Sequence, residues 1–83
     1  MKHAGREALD GLAGVLDALR RRVELREKSR GVFHRRGRAF LHFHEDPAGV
    51  FADLRLAAGW KRMRVVTKAE RAALLRETDR ALA

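Results

Sequence analysis

Between residues 31 and 66, apolar and polar side chains alternate with a period of two, and turn residues interrupt the alternation. A period of two marks strands with one buried face, whereas a helix repeats its apolar residues every three to four positions. Arg36-Gly37 joins residues 31–35 to residues 38–45. Asp46-Pro47-Ala48-Gly49 then forms a four-residue turn: Asp bonds its own backbone, Pro presets the first dihedral and Gly accepts positive φ. Residues 50–56 follow, and Ala57-Ala58-Gly59 leads into residues 60–66. Connections this short make neighbouring strands antiparallel, so the segment is a meander.

The period changes on either side. Leu9, Leu12, Leu16, Leu19 and Val23, widened by Ala8 and Val15, predict a helix over residues 4–22. Gly5, Gly11 and Gly14 each weaken it by up to about 1 kcal/mol relative to alanine, so packing must hold it. Residues 23–27 alternate and fit a short edge strand. Thr67-Lys68-Ala69-Glu70 is a capping box opening a last helix, whose inner face is Leu74, Leu75, Thr78, Ala81 and Leu82. The expected architecture is one α+β domain over residues 1–83. It has an N-terminal helix, an antiparallel β-meander of three to five strands and a C-terminal helix, with both helices on one face of the sheet.

The turns propose registers. A two-residue Arg36-Gly37 loop sets Arg35 opposite Arg38, Phe33 opposite Phe40 and Val32 opposite Leu41. A loop at 46–49 sets Glu45 opposite Val50, Phe43 opposite Ala52, Leu41 opposite Leu54, His44 opposite Phe51 and His42 opposite Asp53. The last strand joins with Leu54 opposite Met63. A slip of one residue would mix the two faces. One face then carries Val32, Ala39, Leu41, Phe43, Val50, Ala52, Leu54, Leu56, Met63 and Val65 toward the helices. The other carries Phe33, Arg35, Arg38, Phe40, His42, His44, Phe51, Asp53, Arg55, Trp60, Arg62 and Arg64. A solvated sheet face is normally polar, so aromatic rings among arginines mark an interaction surface.

Composition narrows the partners. Nineteen basic against eleven acidic side chains give a formal charge of +8, a field that attracts polyanions, acidic proteins and anionic surfaces. The arginine excess also fits a general compositional bias. No apolar run approaches the roughly 20 residues that span a bilayer, and no signal segment is visible, so a cytoplasmic location without membrane attachment is expected. The absence of cysteine removes disulfides and thiolate metal ligands.

Three uses of the aromatic and arginine face compete: a second copy of the chain or another protein, local packing within the chain, and a nucleic acid whose bases stack on the rings while arginines take phosphates. Self-association or a protein partner is the leading expectation and nucleic-acid binding the alternative. His42, His44 and Asp53 form a minor third possibility. Alternate residues of a strand share a face, so two imidazoles and a cross-strand carboxylate could ligate one ion, although a His42–Asp53 hydrogen bond needs no metal. His3 and His34 fall on other elements. Ser29, the sole serine, sits in a basic loop without a base, and Glu45 and Asp46 are accounted for by the turn. A non-catalytic protein without a cofactor or small-molecule substrate is therefore expected.

The stretch from Val32 to Leu41, Val-Phe-His-Arg-Arg-Gly-Arg-Ala-Phe-Leu, followed by Ala52-Asp53-Leu54-Arg55-Leu56, resembles the MmcQ/YjbR-type small domain, with its Phe-x-x-x-Gly-Lys-x-Phe-like hairpin and following apolar strand. Trp60 and the helix from Thr67 would correspond to that family's tryptophan-bearing strand and final helix. Arg38 stands where the family has lysine, and the segment before the tryptophan is shorter. The resemblance implies a compact α+β fold and a DNA-binding role on the basic, aromatic face.

Overall fold

In a computed structural model that describes residues 2–83, the chain forms three helices and one antiparallel sheet. The order is β1 (Lys2–His3), α1 (Arg6–Gly11), α2 (Ala13–Arg20), β2 (Arg26–Ser29), β3 (Val32–Arg35), β4 (Arg38–Asp46), β5 (Gly49–Leu56), β6 (Gly59–Arg64) and α3 (Lys68–Leu82). Strands β2 to β6 are a meander in sequence order, and β1 pairs with the far end of β4. The sheet therefore has six strands where three to five were expected, since β1 at two residues is too short to show a period.

The β4–β5 register is the expected one in every pair, with Leu41 opposite Leu54, His42 opposite Asp53 and Phe43 opposite Ala52. In the next hairpin the turn is Ala57-Ala58 and Gly59 joins the ladder opposite Leu56, so Leu54 faces Lys61 and Ala52 faces Met63. This two-residue shift leaves the faces of β6 as expected, because side chains repeat every two residues.

The β3–β4 register departs from expectation with larger consequences. A β-bulge puts Phe33 opposite Leu41 and Val32 opposite His42, leaving Phe40 as the extra residue. The bulge exchanges the faces of β3. Phe33 is 1 % exposed and Phe40 3 %, both in the core cluster, while Val32 lies beside His42 and is half-buried. Arg35 follows Phe33 in parity. It donates to the Ala81 carbonyl at the end of α3 and sits 5.9 Å from the centre of the Phe40 ring. Phe33, Phe40, Arg35 and its partner Arg38 thus leave the far face to which the turns assigned them.

The expected first helix breaks at Leu12, between Gly11 and Ala13. The break lets Leu9 and Leu12 reach the interior together with Val15, Leu16 and Leu19. Arg71 of α3 donates to the Gly11 carbonyl freed there, and its Nε donates to Val65 O. Val23, expected in the stripe, is almost fully exposed, and β2 begins three residues later. The helical leucines share one core cluster with Phe33, Leu41, Phe43, Ala52, Leu54, Val65 and Leu74. Gly31 lies against this cluster at φ +79, and a Cβ there would fall 2.7 Å from a Leu9 methyl. Only glycine meets both demands.

The capping box forms as expected. Thr67 Oγ1 accepts from the Glu70 amide at 3.1 Å, and the Glu70 carboxylate accepts from the Thr67 amide at 2.9 Å. Thr67→Ala is expected to lower stability by about 1 kcal/mol in urea unfolding, with the native fold retained.

Candidate functional site

Rows of side chains cross the sheet on the face away from the core. The first runs Val32, His42, Asp53, Arg62 through β3 to β6. The second runs His3, His44, Phe51, Arg64 from β1 to β6. Arg55 and Trp60 face one another across β5 and β6. Each residue keeps its place because the strand beneath it alternates, with Leu41, Phe43, Ala52 and Leu54 anchored in the core between them.

Asp53 is the hub and is 7 % exposed. Arg62 grips its carboxylate with two parallel bonds, Nε to Oδ1 at 2.7 Å and Nη2 to Oδ2 at 2.8 Å. This fork holds the Asp53 carboxyl below the usual carboxylate range against the opposing effect of burial. His44 Nε2 lies 3.2 Å from Asp53 Oδ2, and His42 Nδ1 lies 2.8 Å from His44 Nε2. Burial, then the neighbouring His44, pushes the His42 pKa below the usual histidine value and so favours the neutral imidazole. His3, expected to lie apart, stacks on His44 with ring centres 4.8 Å apart. Only the β1–β4 pairing brings it there, and nothing in the local sequence signals a contact across forty residues.

Trp60 is 45 % exposed, the most open of the phenylalanine and tryptophan rings. The Arg55 guanidinium lies 4.3 Å from its ring centre and the His42 ring 5.0 Å away. Arg55 is fixed by donating Nε–H to the Ala39 carbonyl at 2.6 Å, beside the bulge.

A second feature lies at the end of the sheet, where the β3–β4 and β5–β6 turns meet the C-terminus of α3. A cavity of about 610 Å³ there is walled by Arg35, Arg36, Arg38, Arg55 and Arg80 over Phe40 and Leu56, with no carboxylate side chain in its lining. Arg80 is paired with Glu77. The other four have no acidic partner among the described residues, although Arg35 and Arg55 are held by backbone carbonyls. Elsewhere Lys2, Arg20, Arg22, Arg30, Lys61, Arg62 and Arg64 pair with acidic groups, whereas Arg6, Arg21, Arg26, Lys28, Lys68, Arg71 and Arg76 form no ion pair among the described residues. Unpaired positive charge is thus spread over the molecule, and what sets this cavity apart is that four such guanidinium groups gather around one concavity. Arg36 and Arg80, which alternation gave no reason to select, belong to this cavity.

The expected surface therefore divides. Phe33 is core, and Phe40 floors the cavity from within the core cluster. Arg35, Arg38 and Arg55 wall the cavity, while His42, His44, Phe51, Asp53, Trp60, Arg62 and Arg64 remain on the far face. Among the described residues, no helix is long and apolar enough to cross a membrane. The sequence matches no protein-family model, and no curated protein or solved structure matches it.

Proposed function

We propose that this protein is a non-catalytic binding domain for a polyanion, with single-stranded nucleic acid as the partner that uses the whole surface. The carrying observation is the cavity with four arginines that lack acidic partners and no carboxylate in its wall. Like charges gathered around a concavity repel, and an anion bound there relieves the repulsion. Arg36 adds to the argument. It occupies the first position of a two-residue turn at φ 54, followed by Gly37 at φ 77. That conformation favours Asn, Asp or Gly, so arginine is there at a cost to the turn and in favour of the cavity. The same hairpin carries the MmcQ/YjbR-type resemblance.

Trp60 supplies the second half. It lies next to Gly59 of the cavity wall and is bridged to the cavity by Arg55. A base stacked on its open side would leave the following phosphates within reach of the arginines. Self-association through this surface is the weaker reading, since it would bring two chains of charge +8 together. The outer strands also carry charges that discourage edge pairing, Arg26, Glu27 and Lys28 on β2 and Lys61, Arg62 and Arg64 on β6.

Fluorescence anisotropy with labelled single-stranded oligonucleotides tests this proposal. Binding should weaken steeply with salt, and Arg36→Glu combined with Arg38→Glu should flatten the salt dependence and cut affinity at least tenfold. Both side chains are exposed, so the fold is not at stake. Trp60→Ala should weaken binding by about 1–3 kcal/mol, the value of one stacked base. Absence of binding at low salt, or a monomer–dimer equilibrium abolished by the same two charge reversals, would overturn the proposal.

A further inference from the structure

Three atoms of the far face converge on one point. His42 Nδ1, His44 Nε2 and Asp53 Oδ2 are separated by 2.8, 3.2 and 4.0 Å. The point in their plane equidistant from all three lies about 2.0 Å from each, the length of a zinc bond to histidine nitrogen or carboxylate oxygen, and a tetrahedral ion would draw His42 Nδ1 and Asp53 Oδ2 together from 4.0 Å to about 3.3 Å.

Hydrogen bonds alone satisfy this triangle poorly. If His42 Nδ1–H donates to His44 Nε2, the bare Nε2 lone pair must face the carboxylate oxygen at 3.2 Å. If Nε2 carries the proton, that single hydrogen must serve both Asp53 and His42. A cation at the centre accepts a lone pair from each of the three atoms at once. Asp53 would remain available while Arg62 holds it, because a carboxylate oxygen has a second lone pair. The Arg62 fork then acts as the outer partner that fixes the ligand's orientation.

We propose that His42, His44 and Asp53 form a metal-ion site that takes zinc or a similar late first-row divalent ion, independently of any polyanion bound at the arginine cavity. Two imidazoles and one carboxylate suit such ions, whereas magnesium and calcium prefer all-oxygen sets. Three protein donors leave the fourth position open, and a shallow pocket of about 410 Å³ lined by His42, Asp53, Trp60 and Arg62 gives an ion a path to it.

Equilibrium dialysis of the purified, chelator-treated protein against Zn²⁺ tests the site. One Zn²⁺ per chain should bind at micromolar concentration, with a rise in thermal midpoint that Mg²⁺ does not reproduce. His42→Ala and His44→Ala should each weaken binding at least tenfold, and His34→Ala should leave it unchanged. Co²⁺ provides a readout that needs no variant: strong visible d–d bands report a four-coordinate site in the parent protein even if His44→Ala fails to fold. Absence of saturable Zn²⁺ binding, the weak spectrum of hydrated Co²⁺, or binding lost only in His3→Ala overturns the proposal.

Discussion

Truncating Phe33 to alanine is expected to destabilise the protein by about 3–5 kcal/mol. The ring is 1 % exposed and faces Leu41 across the ladder, inside the cluster that also holds the helical leucines. Removing it leaves a cavity among those packed side chains. In a domain this small, 1 kcal/mol moves the thermal midpoint by roughly 4–8 °C. The variant should therefore melt well over ten degrees lower and lose a large part of a stability that is only about 5–15 kcal/mol for proteins in general. Val32→Ala serves as the contrast. Val32 is half-buried beside His42, outside the core cluster, and its truncation should cost about 1 kcal/mol or less. Urea unfolding of both variants decides the register. If Val32→Ala were the costly change and Phe33→Ala the mild one, the strands would pair without the bulge.

That bulge marks the limit of what the sequence made legible. In the β4–β5 hairpin, alternation and turn chemistry agree, with apolar residues on both strands falling on one face in a single register. His42 opposite Asp53 is accordingly legible in the sequence alone. In β3–β4 the turn was equally legible, and Arg35 does face Arg38. One residue inserted further along reverses the parity, and Phe33 and Val32 are both apolar, so composition gives no warning of which turns inward. The β5–β6 register differs by two residues from expectation, which keeps the faces but changes partners: Asp53 meets Arg62 instead of Arg64. The fork that defines the hub was thus not legible, although each of its residues was on the correct face. The break at Leu12 had a visible cause in Gly11 and Gly14, but the carbonyl it frees is satisfied by Arg71 from sixty residues away. His3 joins the histidines by the same kind of long-range pairing.

The two features of the surface also differ in how sequence could find them. Four arginines without acidic partners cannot be distinguished from paired ones by counting charges. The formal +8 suggests a broadly basic molecule, and the fold adds what the count does not show: some guanidinium groups are paired individually, and four unpaired ones are gathered at one end. Electrostatic attraction at long range follows the total charge, but the contact that holds a phosphate follows the unpaired groups. Reversing charge at Arg36 and Arg38 should therefore matter far more than reversing it at Arg22 or Arg30, which are already engaged with Asp79 and Asp10.

Asp53→Asn is expected to cost about 2 kcal/mol at neutral pH in metal-free protein, and to change the shape of the acid limb as well. Breaking a buried ion pair by removing one partner typically costs 3–5 kcal/mol. Here the Arg62 side chain is half exposed and regains water when released, so the lower figure applies. The pH dependence follows from two depressed pKa values with different reference points. Asp53, held down by Arg62, contributes stability that is complete above its unfolded value near pH 4 and is lost as pH falls through the lower folded value. His42, held down by burial, protonates more readily in the unfolded chain. Its effect is a loss of stability that begins as pH falls below about 6.5 and levels off below its folded value. Urea midpoints between about pH 3 and 8 should show both declines in the parent. In Asp53→Asn the lower decline becomes shallower. The upper one deepens, because the Asp53 charge that favoured the protonated His42 has gone. Parallel curves for variant and parent across the whole range would mean that Asp53 is not the charged hub of this face.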